Sequence, residues 1–197
     1  MPYDPDRFAA PLETTVEINI DVVMGGLSPF LDRLDSILRH GHATYETYPP
    51  AIVVDYDSST QAHCTNRHGL AEAHRVLDEL PNIRFIEIPG GQQLWLVESA
   101  NSVLRFKKTD ENGVSSNYPT SQTKAFDQGD VIPGLPPHPT RVTAGYLLDA
   151  TGLGYMRSQV SLPTNRGVIW CAAIIPAASR EADEKSWYEV TRQGRMF

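Results

Sequence analysis

The chain has 197 residues, with 17 Lys+Arg against 24 Asp+Glu, 41% hydrophobic residues and two Cys. A chain of this length buries roughly 70% of its unfolded surface and needs neither disulfides nor a metal to fold. No run reaches the ~18 apolar residues of a membrane span, the apolar fraction is too high for wholesale disorder, and two Cys make no disulfide framework.

The net charge of −7 is unevenly spread. Residues 1–66 carry ten acids and three bases, so the whole excess lies in the first third. Such asymmetry speaks to partners rather than to fold. An acidic body repels nucleic acid, and no basic recognition helix is visible, so double-stranded DNA readout is not expected. One local exception stands out. Residues 102–126 hold Arg105, Lys107, Lys108 and Lys124 against Asp110 and Glu111. The first residues lack the basic and apolar regions of a secretion signal, so a cytoplasmic location is expected.

In chain order, Val16, Ile18, Ile20 and Val22 alternate and predict a strand ended by Gly25-Gly26. Ser28-Pro29 reads as an N-cap with Pro at the first helical position. Phe30, Leu34, Ile37 and Leu38 then share one helical face, and Gly41 is expected to close that helix. A linker over 42–50 leads to a short strand over 51–55. A second helix is predicted over about 65–80, with Leu70, Ala73, Leu77 and Leu80 inward and Pro81 as its stop.

The pattern then changes to period two. Strands are predicted over 83–88, 92–98, 102–108, 142–149, 155–162 and 167–175. Leu104 and Phe106 face one way; Val103, Arg105 and Lys107 face the other. The turn Thr151-Gly152-Leu153-Gly154 lies between strands, so it is a hairpin rather than a nucleotide cradle. Residues 109–140 hold little regular structure beyond a helical turn near 121–126. The expected fold is α+β: two N-terminal helices packed on a mainly antiparallel sheet of about six strands, in one domain over 1–175 with a polar tail over 176–197.

The sharpest site candidate is the basic strand with the loop after it. Arg105 and Lys107 would project from one sheet face, Cα atoms about 7 Å apart at ~3.3 Å per residue. A guanidinium beside an ammonium can hold a phosphate, a carboxylate or an acidic chain. Lys108, Asn117, Tyr118, Thr120 and Gln122 would complete the site. Three other constellations are weaker. His63, Cys64 and His68 do not match zinc spacing, so no metal is expected. Asp55 and Asp57, joined by Glu87 and Lys107, would suit a nuclease but lack its compact spacing. Cys171, inside VIWCAAII, reads as a buried small hydrophobe.

LRFKK, then NYPT with Gln122 and Phe126, PGLPP, GYLLDATG and the late apolar strand with Trp170 resemble a family of uncharacterised bacterial proteins. The likeness covers roughly residues 60–175. That resemblance implies a gene beside helix-turn-helix regulators, sometimes with a metallopeptidase-like domain, as in toxin–antitoxin or phage-defence pairs. No catalytic residue and no cofactor come with it. It implies a component that binds a regulator or antitoxin. The alternatives are a nucleotide- or RNA-directed enzyme using the basic sheet face, and a small-molecule binding domain.

Overall fold

The structure, a computed structural model, describes residues 18–88, 91–115 and 120–190. The chain folds as α+β, with N-terminal helices preceding a mostly antiparallel sheet. Several corrections fall in the helical part. Residues 20–22 are not extended: α1 is Ile20–Leu27, started by Asn19, whose side chain accepts from the Asp21 amide at 2.7 Å. Val23, Met24 and Leu27 are buried, and Ile20 packs against the same core. Those apolar positions fit a helical stripe, which outcompetes the alternation. Val16 lies outside the described residues.

A 3₁₀ turn, Ser28–Phe30, follows without a side-chain cap, and α2 is Leu31–Glu46. Gly41 does not end α2; the helix runs through it. A Cβ there would lie 2.7 Å from the Thr65 carbonyl oxygen and 2.9 Å from the Gly69 nitrogen. The glycine is a helix-crossing residue, and its missing side chain lets the backbones approach. The predicted strand over 51–55 is instead one helical turn, α3, Pro50–Val53, begun by proline.

Helix α4, Ser58–Leu77, starts earlier than expected because Asp57 caps it, accepting from the Thr60 amide at 2.7 Å. Ala73 and Leu77 are buried, while Leu70 and Leu80 pack on the core from its margin.

The seven strands are β1 Ile83–Ile88, β2 Gln92–Val97, β3 Ser102–Lys108, β4 Thr140–Leu148, β5 Tyr155–Thr164, β6 Gly167–Ile174 and β7 Trp187–Glu189. They lie in sequence order across one sheet. Every neighbouring pair is antiparallel except β3–β4, which is parallel. A parallel pair needs a crossover, and residues 109–139 supply it. That stretch contains α5, Ser121–Gln128, with Thr120 as its N-cap and Gly129 in the left-handed conformation at its end. The seventh strand comes from the segment read as a polar tail. Trp187 is only 5% exposed and belongs to the main core.

Strand alternation divides the sheet into two faces. On the first, Trp95, Leu104, Phe106, Val142, Ala144, Val160 and Ala172 meet Leu31, Leu34, Ile37, Ala73 and Leu77 of α2 and α4. On the second, Ile86, Ile88, Leu94, Leu96 and Val103 meet Phe126 of α5 and Ile132. Among the described residues, no helix is long and apolar enough to cross a membrane.

Candidate functional site

The parallel register sets Arg105 opposite Thr143 and Lys107 opposite Gly145. Arg105 and Lys107 are two apart in one strand and alternate with Leu104 and Phe106, which belong to the first-face core. Both therefore lie on the second face. Lys108 falls on the first and is separated from them.

Arg105 is 1% exposed. Its Nε donates to Thr143 Oγ1 at 2.9 Å. Its Nη2 lies 2.7 Å from Asp127 Oδ1 and 3.4 Å from Ser115 Oγ. The guanidinium carbon stands 4.3 Å from the centre of the Phe126 ring, within cation–π range. The remaining nitrogen, Nη1, is buried and has no hydrogen-bond partner among the described residues. Lys107 is half-buried, with no carboxylate within 4.0 Å among the described residues.

Burial is the main force on all three charged groups. It lowers the pKa of Arg105, against the pull of Asp127. It lowers that of Lys107 too, and the neighbouring Arg105 charge adds to the effect. It raises the pKa of Asp127, against both cations. Two cations thus share one carboxylate in a poorly solvated place, where an uncompensated charge is costly.

The crossover is pinned over this face. Gln159 Nε2 donates to Thr109 Oγ1 at 2.9 Å and to the Asp110 carbonyl at 2.6 Å. Ser161 Oγ donates to the Gly113 carbonyl at 2.8 Å. A Cβ on Gly113 would lie 2.9 Å from Cys171 Sγ, which closes the buried thiol under the loop. Arg141 donates to the Ala125 carbonyl at 2.5 Å and to those of Phe126 and Asp130, securing the end of α5.

The other expected site residues fare differently. Thr120 spends its hydroxyl on the Thr123 amide, 3.2 Å away, as the α5 cap. Gln122 sits in the first turn of α5. Asn117 and Tyr118 lie outside the described residues. Asp57 caps α4, whose core residues meet the first face, whereas Lys107 is on the second. The Asp55, Asp57, Glu87, Lys107 set therefore does not converge. His68 Nε2 is hydrogen-bonded to the Tyr48 hydroxyl at 2.7 Å, His63 is exposed on α4 and Cys64 half-buried there. Among the described residues no group of three metal-capable side chains occurs.

Two features escaped the sequence reading. Asp127 is the first: it follows Phe126 inside a short helix bracketed by Thr120 and Gly129, and only those caps signal it. The second is a polar cluster on the first face. Asp35 accepts from Arg39 Nε with both oxygens, at 2.9 and 2.8 Å, and from Ser158 Oγ at 2.6 Å. Ser158 is in turn 2.5 Å from the Tyr155 hydroxyl, and Arg39 lies over the Tyr155 ring. Burial raises the Tyr155 and Tyr146 hydroxyls above their ordinary pKa.

No family model, curated protein or solved structure matches the chain.

Proposed function

We propose that this protein is a binding domain for a small anion, held at the second sheet face by Arg105 and Lys107. The observation that supports it is the charge count of that cluster: two desolvated cations against Asp127, with Arg105 Nη1 unpartnered among the described residues. A bound anion would supply the missing charge and the missing acceptor. In this reading Asp127, Thr143 and Phe126 position the guanidinium, and Lys107 is the group that meets solvent. Both cysteines are free thiols, which favours a reducing compartment such as the cytoplasm.

The partner-protein reading, a component that binds a regulator or antitoxin, takes its support from the sequence likeness. Its two sequence motives are engaged within the chain. Acidic residues of the first third meet cations of the tail, with Asp32 2.5 Å from Arg180 and Asp21 3.0 Å from Lys185. Trp187, in the segment read as a polar tail, is in the core. A nucleotide- or RNA-directed enzyme would use the same two cations, and cell growth on expression of the wild type and Lys107→Ala separates it from a binding domain.

The binding proposal is tested by isothermal titration calorimetry on the full chain with benzoate, sulfate and inorganic phosphate. At least one anion is expected to give a saturable response in the wild type and none in Lys107→Met. Silence from all three in the wild type, or an unchanged response in the variant, removes the proposal.

A further inference from the structure

We propose that the anion taken at Arg105 and Lys107 is a carboxylate, entering end-on as the terminal group of a small molecule; this rests on the anion-binding reading above. Three features select that class. The first is charge. Arg105, Lys107 and Asp127 leave one positive charge uncompensated, and a buried site is best closed by a group that brings it to neutrality. A monoanion does so; a phosphate monoester dianion overshoots and leaves a desolvated negative charge in its turn.

The second is the number of donors. Arg105 donates Nε to Thr143 and Nη2 to Ser115, and Nη2 is in ion-pair contact with Asp127 Oδ1, which like Nη1 has no hydrogen-bond partner among the described residues; Nη1 is the nitrogen left over. The Phe126 ring against the guanidinium and the Thr143 bond fix the plane, so Nη1 points in one direction. Lys107 adds a second, independent donor two residues along the same strand. Two donors on two side chains suit two oxygens on one carbon, with one charge-assisted bond to each.

The third is access. Arg105 is 1% exposed, whereas Lys107 is half-buried. Of the two cations Lys107 is the one solvent reaches, and an anion that bonds the buried Nη1 must shed its water. A carboxylate can be inserted by one end. A phosphodiester carries substituents on both sides and needs an open groove running through the site. The charge count alone would admit the diester, and this geometry disfavours it.

The test is scanning calorimetry on the full chain at neutral pH, with chloride holding ionic strength constant. The probes are benzoate, dimethyl phosphate and inorganic phosphate. Benzoate well above its dissociation constant is expected to raise Tm by about 2 °C or more, the scale set by ligand linkage for a chain this size. Dimethyl phosphate and phosphate are expected to give less than half that shift. Lys107→Met, which keeps the stem and removes the charge, is expected to lose the benzoate shift, and Lys107→Arg to keep it. A shift from either phosphate probe that equals or exceeds the benzoate shift overturns the carboxylate assignment and leaves the anion site standing. No shift from any probe, or an equal benzoate shift in Lys107→Met, overturns both. If Lys107→Met does not fold, loss of the wild-type benzoate response on neutralising Lys107 at high pH takes its place, and a response that persists there overturns the assignment.

Discussion

The two faces of the sheet each bury a charged cluster, and they balance it differently. On the first face Asp35 holds Arg39 and Ser158, one charge against one, and Arg39 keeps its outer side in water with 42% of the side chain exposed. On the second face two cations share Asp127, and the central guanidinium has no exposure to relieve it. A matched pair with a route to solvent is a structural feature of the fold. An unmatched cation under a pinned loop is the feature on which the anion-binding proposal rests. Burial is common to both clusters; the lack of neutrality is what sets the second apart.

The comparison breaks most visibly at Asp127. Asp127→Asn leaves two desolvated cations unpaired and is expected to cost about 3 kcal/mol, roughly 10 °C in Tm for a chain of this length. Urea denaturation measures it. A loss under about 0.5 kcal/mol, the size of an ordinary surface change, would mean that water screens the cluster and that the two faces are alike.

Asp35→Asn is expected to cost less, about 1–2 kcal/mol, because Arg39 can turn to solvent and the amide oxygen still accepts from Ser158. If Asp35→Asn proves the more damaging of the two, the assignment of structural and binding roles is reversed.

The third way to sharpen the contrast is pH. Burial and Arg105 depress the pKa of Lys107 in the folded chain. Between that depressed value and the ordinary 10.5, the unfolded chain binds the more protons. Folding stability contributed by Lys107 therefore rises as pH climbs through that window. In Lys107→Met this rise is expected to vanish, with the difference read from denaturation midpoints across the alkaline range. Anion binding should weaken over the same interval as the ammonium is lost.

The smallest effect belongs to the first face. Tyr146 and Thr65 approach each other there, but neither hydroxyl makes a well-aligned hydrogen bond among the described residues, and His42 Nε2 likewise has no partner there. Removing an unsatisfied hydroxyl forfeits no bond, so Tyr146→Phe is expected to change stability by no more than about 0.5 kcal/mol, in the stabilising direction. A clear loss in calorimetry would show that the Tyr146 oxygen is engaged.

Much of this arrangement was legible in the residues. Period-two runs marked six of the strands, because one side of each had to be apolar. They also put Arg105 and Lys107 on one face, since alternation is a property of the extended backbone itself. Strand β7 was not legible: it is three residues long, follows a charged stretch and is held by Trp187 and its pairing with β6. Helix α1 was misread because short apolar runs satisfy both periods, and the Asn19 cap is the local feature that decides between them. Gly41 was misread as a stop because its use depends on Thr65 and Gly69 of another helix.

What the amino-acid sequence determined by itself was local: where strands and helices form, which side chains share a strand face, and the acidic first third. The tertiary structure alone decided which charges meet. Asp127 reaches Arg105 because the parallel β3–β4 pairing forces a crossover over the second face, and α5 lies in it. Arg180 and Lys185 reach Asp32 and Asp21 because β7 closes the sheet beside the helices. The physical reason is range. Backbone periodicity is written within a few residues, whereas charge neutrality is settled by groups far apart in the chain that only packing brings within a few ångströms.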